Sequence, residues 1–130
     1  MRVTSTFTGG LRFESEIRQH KIVVDNPVES GGEDTGPTPP ELLATALGTC
    51  VGIYAVNFCK RHDISPAGMT IHTEGEKVMD PPRIGSLTVR ISLPAGVPEA
   101  LQGAFIRTVE KCMVHNTLSH NPTISITLDI

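Results

Sequence analysis

Between Thr38 and Lys60 the chain reads as one long helix that is apolar on two opposite sides. No other feature limits the available folds so tightly. At about 100° per residue, Leu43, Leu47, Cys50 and Tyr54 fall on one stripe, and Ala44, Gly48, Gly52, Ala55 and Cys59 on another. A helix apolar on both sides is a buried one. Its small-residue stripe invites close approach by another backbone, which accounts for two glycines that would otherwise cost about 1 kcal/mol each. The start is well marked: Thr38 can cap, Pro39 and Pro40 suit the first turn, and Glu41 stands where a capping-box glutamate belongs. The helix is expected to stop near His62 and Asp63.

The segments around it alternate in the strand period. Val3 to Thr8, Leu11 to Ile17 and Lys21 to Asp25 read as three strands, the first two joined by a Gly9-Gly10 turn. A glycine-, proline- and acid-containing loop from Asn26 to Pro37 follows. Beyond the helix, Met69 to Val78 reads as a weaker strand. Leu87, Val89, Ile91 and Leu93 mark a clear one, and Ile124, Ile126, Leu128 and Ile130 mark another. Pro98 starts a second helix, with Leu101, Phe105, Ile106 and Val109 as its apolar face, ending or bending near Cys112. The order predicts an α+β domain around a central buried helix.

At 130 residues the chain is expected to form a single domain, 1–130. No run approaches the roughly 18 continuous apolar residues of a membrane span, and the first residues lack a secretion-signal pattern. A net charge of −3 with no basic run argues against nucleic acid and anionic membranes as partners. Three cysteines are an odd number and too few for a disulfide scaffold, so a cytoplasmic setting is expected.

The cysteines carry what chemistry the pattern offers. Cys50 and Cys59 lie nine residues apart on one helix, pointing about 180° apart with roughly 13.5 Å of rise between them. A disulfide needs Cα atoms within about 7 Å, so Cys112 is the better partner for Cys50. Each reads equally as a buried small hydrophobe or as one half of a redox pair, in which a sulfenic acid on one condenses with the other. Cys59 reads as the inert case. Cys59-Lys-Arg-His62 and Cys112-Met-Val-His115 are both C-x-x-H pairs, but zinc signals in sequence usually use paired C-x-x-C, so no metal and no cofactor is expected. Arg12, between Leu11 and Phe13 in a strand, is either solvated or meets an anion.

The segment Gly36-Pro-Thr-Pro-Pro-Glu-Leu-Leu-Ala-Thr-Ala-Leu-Gly-Thr-Cys50, with Lys111-Cys-Met-Val-His-Asn-Thr-Leu118 downstream, resembles the OsmC/Ohr superfamily, closer to its broad OsmC-like branch. His20-Lys-Ile-Val-Val-Asp25 and the Gly31-Gly32 loop extend the likeness. The resemblance implies antiparallel sheets wrapped around a buried helix in an intertwined homodimer with exchanged N-terminal strands. It implies a thiol-dependent peroxidase for organic hydroperoxides, recycled by a dithiol reductant, without metal or flavin. In that pattern Cys50 is the peroxidatic cysteine and Cys112 the resolving one. Glu41 stands near the family's glutamate, which in better-characterised branches lies one residue further from the cysteine, where Pro40 stands here. Arg12 is the first candidate for the family's arginine and Arg18 the second. Met113 replaces the usual proline after the second cysteine. The alternative is a non-catalytic stress-response protein that binds a lipid-like ligand in the interface pocket.

Overall fold

The computed structural model describes residues 1–129 and divides into two compact units, Met1–Leu43 and Ala44–Ile130. The fold class is α+β, with two antiparallel sheets and three helices among the described residues.

The first unit is a three-stranded meander, β1 (Thr4–Gly9), β2 (Arg12–Ile17) and β3 (His20–Val24). Gly9 and Gly10 both take positive φ, 123° and 57°, which a turn this tight demands and a side chain would resist. Phe7 faces Phe13 across the first pair, and their rings meet edge to face with centroids 5.8 Å apart.

The loop behind β3 is more ordered than its composition suggested. It contains a 3₁₀ turn at Val28–Ser30 and is gathered around one carboxylate, Asp25, only 3% exposed. Asp25 accepts hydrogen bonds from the Thr35 hydroxyl at 2.6 Å and from the amides of Asn26, Glu33 and Thr35 at 2.7, 3.3 and 3.1 Å. Its own amide donates to the Pro37 carbonyl at 3.2 Å, tying the end of β3 to the approach of the long helix. The chain packs so closely here that a Cβ on Gly32 would strike the Asn26 carbonyl.

The second unit is built on α1 (Pro39–Arg61), whose first residues belong to the first unit, and on β4 (Thr70–Val78), β5 (Arg83–Ser92), α2 (Glu99–Val109) and α3 (Met113–Ser119). A reciprocal capping box starts α1: the Glu41 amide donates to Thr38 Oγ1 at 3.3 Å, and the Thr38 amide donates to Glu41 Oε1 at 2.9 Å. Leu47, Val51, Ala55, Phe58 and Cys59 of α1 meet Phe105 and Val109 of α2 and Cys112 in the core. Phe58 and Phe105 pack edge to face with centroids 5.2 Å apart. By length and apolarity α1 could cross a membrane; here its buried side chains make this core instead.

The space the glycine stripe leaves is taken by side chains of β4 rather than by another backbone: a Cβ on Gly48 would sit 2.6 Å from Thr73 Oγ1, and one on Gly52 would sit 3.5 Å from Ile71 Cγ1. β4 and β5 pair antiparallel, and Leu87, Val89, Ile91 and Leu93 pack on the core cluster as their alternation implied.

Three expectations are corrected. Within the chain α1 is not buried all round: Leu43, on the first stripe, is 38% exposed, and Ile53, outside both stripes, is 61% exposed. Ile106, placed on the apolar face of the second helix, is 50% exposed, while Leu101, Phe105 and Val109 turn to the core. Residues 121–129 form no strand, and Ile124, Ile126 and Leu128 are 79%, 92% and 81% exposed. Alternation makes a segment fit for a sheet, but a strand exists only against a neighbour that takes its hydrogen bonds. Ile130, the last residue of that pattern, lies outside the described residues.

Asp25 gives the loop a pH signature. Its hydrogen bonds, led by that of the Thr35 hydroxyl, hold its pKa at about 2 against an ordinary 3.8. A depressed carboxylate pKa stabilises the fold above the unfolded-state value, and that contribution is lost as pH falls from about 4 to about 2. Urea unfolding between pH 5 and pH 2 should therefore show a steeper loss of stability in the native protein than in Asp25→Asn. Parallel curves would assign the acid sensitivity to other groups.

Candidate active site

The second unit brings together two of the four residues marked by sequence. Cys50, half-buried on α1, packs against the core cluster that holds Cys112, which is fully buried at the junction of α2 and α3. All three cysteines are free, and these two are far apart in sequence. What joins them is the core itself. Leu47 and Val51 flank Cys50 on α1, Val109 precedes Cys112 at the end of α2, and all three side chains belong to one cluster.

Cys112 is held by a local device. It takes extended backbone angles, φ −61° and ψ 144°, and its Sγ accepts the amide hydrogen of His115 at 3.2 Å, so that the thiol is the N-terminal cap of α3. Burial pushes the Cys112 thiol up, and the neighbouring Cys50 pushes the same way, by hydrogen bonding and by charge. The amides of His115 and Val114 pull against both. Cys112 in its resting state is therefore a protonated thiol.

Cys59 is fully buried as well, and burial raises its thiol without any compensating donor. It belongs to the packing of α1, as its position in the pattern suggested. The two C-x-x-H pairs do not converge: among the described residues no three His, Cys, Asp or Glu side chains gather where they could hold a metal ion. His62 instead stacks its ring on Phe58, with centroids 4.2 Å apart.

Glu41 and Arg12 lie in the first unit, each bonded to a threonine. The Glu41 carboxylate accepts from the Thr38 amide and, at 2.7 Å, from the Thr38 hydroxyl. The Arg12 guanidinium reaches across the β1–β2 hairpin, donating to Thr8 Oγ1 at 3.0 Å and to the Thr8 carbonyl at 3.2 Å. Arg18 is exposed in the turn after β2 and takes a positive φ of 56°. Two residues carry more of the architecture than the sequence disclosed. Asp25 organises the loop before α1, and an acid closing an apolar strand before a glycine-rich loop is the signal that marks it. His115 supplies the capping amide through its backbone, for which no side-chain pattern gives a signal. Its ring Nδ1 is buried with no hydrogen-bond partner.

A family model described as OsmC-like protein matches residues 31–127, a span holding Cys50 and Cys112. The chain is similar to a solved structure from Psychrobacter arcticus 273-4, named as a candidate osmotic stress induced and detoxification response protein. Identity is 26%, the TM-score is 0.81, and the match covers 88% of this chain and 85% of that one. It shares its fold with an OsmC-like protein from Mycoplasma pneumoniae, at 21% identity and a TM-score of 0.73 over 92% of this chain and 87% of that one. It also shares it with a Legionella pneumophila protein described as an organic hydroperoxide resistance protein and predicted redox protein. There identity is 20% and the TM-score 0.65, over 93% of this chain and 91% of that one. No curated protein matches the chain.

The three environments set an order of reactivity. Under native conditions a small alkylating reagent should modify Cys50 first, Cys112 much more slowly and Cys59 only on unfolding, as read by peptide mass after timed quenching. Modification of Cys59 ahead of Cys50 would contradict the burial described here.

Proposed function

The chain belongs to the OsmC-like family, and on that premise we propose that it is a thiol-dependent peroxidase that reduces organic hydroperoxides in oxidative stress defence. The observation that carries the proposal is the placement of both thiols at one core cluster, Cys50 half-buried against it and Cys112 sealed within it. Relatives of the same fold named for organic hydroperoxide resistance support it.

In this reading the Cys50 thiolate attacks the terminal peroxide oxygen. The O–O bond breaks, the alkoxide takes a proton and leaves as the alcohol, and Cys50 is left as a sulfenic acid. Cys112 then displaces water to close the disulfide, and a dithiol reductant reopens it. The thiol supplies the electrons. Placement supports this division of labour: Cys50 is half-exposed, whereas Cys112 is closed to solvent. Apolar neighbours on α1, Leu47 and Tyr54, suit an alkyl hydroperoxide better than a small polar one. By family pattern Arg12 favours the Cys50 thiolate and Glu41 orients the arginine, with Arg18 as the reserve for Arg12. Three free cysteines suit a reducing compartment, and we place the protein in the cytoplasm.

Cys50→Ser should abolish consumption of cumene hydroperoxide. Cys112→Ser should permit one turnover and leave a Cys50 sulfenic acid that a dimedone probe traps, and Cys59→Ser should keep near-native activity. Arg12→Met should slow reduction of the hydroperoxide with the fold intact, as read by steady-state consumption beside circular dichroism. If Cys50 is never sulfenylated by an organic peroxide, the alternative of a ligand-binding stress protein takes its place.

We further propose that the working form is a homodimer. One chain leaves Ile53 of α1 and Ile124, Ile126 and Leu128 of the C-terminal segment exposed. A groove of about 670 Å³ runs beside α1, lined by Gly52, Ile53, Val56, Met69 and Ile71 among others. Apolar surface of this extent on a small chain marks an interaction face. The midpoint of urea unfolding should rise with protein concentration, as mass action requires of a folded dimer. A folded, active monomer at nanomolar concentration would refute the assembly.

A further inference from the structure

Cys112 serves two partners with one sulfur. It lies in the core cluster on which Cys50 packs, and its Sγ caps α3 by accepting the His115 amide at 3.2 Å. α3 depends on that cap. It has seven residues, buries none of them fully, and carries neither an acid in its first turn nor a base in its last. An isolated helix shorter than about 12 residues is marginal in water. Val114 of α3 packs on the core cluster, and the described residues beyond α3 run on without forming a strand. By contrast α1 begins with a reciprocal capping box and buries six residues.

We propose that closing the Cys50–Cys112 disulfide removes the cap and loosens α3, so that this helix follows the redox state of the pair and uncovers Cys112 for the reductant. The proposal rests on the peroxidase reading for its oxidant and adds a conformational consequence to it. In the closing step the Cys112 thiol gives up its proton and its sulfur attacks the sulfenic sulfur of Cys50. The S–O bond breaks, and hydroxide leaves with that proton as water. Sγ of Cys112 is then positioned by its bond to Cys50 rather than by the His115 amide. Loss of an N-terminal cap shifts the opening of a helix end by about fivefold.

The consequence matters because Cys112 is closed to solvent while α3 is formed. Once α3 loosens, one thiolate of the dithiol reductant can attack the Cys112 sulfur, and the Cys50 thiolate leaves. The second thiol of the reductant then attacks the mixed disulfide, frees Cys112 and leaves the reductant as its own disulfide. Recapping of α3 closes the site again.

Hydrogen–deuterium exchange of the full chain, reduced and oxidised, tests this directly. Oxidation is carried out in parallel with stoichiometric cumene hydroperoxide and with diamide, and peptide mass verifies the disulfide. The amides of residues 115–119 should exchange about fivefold faster in the oxidised protein, with α1 and α2 unchanged. Cys112→Ser keeps a capping hydroxyl but cannot form the bond, so its α3 should exchange at the reduced rate with either oxidant. Equal exchange in the two states, with the disulfide verified, overturns the proposal, as does acceleration in Cys112→Ser. A disulfide that forms with diamide but not with the hydroperoxide sinks the peroxidase reading while the exchange comparison still decides this one. Failure to form it with either oxidant overturns both.

Discussion

The packing of α1 against β4 and α2 is the constraint on which the second unit depends. Gly48 and Gly52 leave room on α1 for the Thr73 and Ile71 side chains of β4, which occupy the space larger residues would need. On the core side Leu47, Val51, Ala55 and Phe58 give α2 a surface to close on. Burying a side chain of the size of Phe58 contributes about 2 kcal/mol, and several such residues along one face fix the rotation of α1 about its axis. That rotation sets where Cys50 points. The chemistry of the thiol is thus a by-product of how a helix without large residues on one side settles against a sheet.

The same core gives three chemically identical side chains three different characters. Cys59 is buried with no donor near it, so its thiol is raised and it behaves as a small hydrophobe. Cys112 is equally buried but sits before a helix, where the His115 and Val114 amides offset part of the cost of charge. Cys50 is half-open and next to Cys112. The pair thus sets one accessible thiol beside one sealed from solvent.

The first unit applies a comparable economy to its loop. One carboxylate, Asp25, collects four hydrogen bonds from three residues and converts a polar, glycine-rich segment into an ordered approach to α1. Thr38 and Glu41 continue the arrangement with a reciprocal cap. The Glu41 carboxylate thereby orders the helix start in this chain whatever further part it plays.

The one-dimensional pattern was enough for elements whose causes are local. The capping box at Thr38, the Gly9-Gly10 turn, the alternation of Leu87 to Leu93 and the small-residue stripe of α1 all act over a few residues, and the structure has each of them where the sequence placed it. The separation of Cys50 from Cys59 on one helix was legible for the same reason. Tertiary structure decided what depends on distant neighbours. Ile124, Ile126 and Leu128 carry a strand pattern but find no strand partner among the described residues, because pairing is a property of two segments and alternation is a property of one. The meeting of Cys50 with Cys112 also lay beyond local pattern, since only the closure of α2 on α1 brings them within reach. So did the cap on α3, where a backbone amide that no side-chain motif announces finds a sulfur placed by the core.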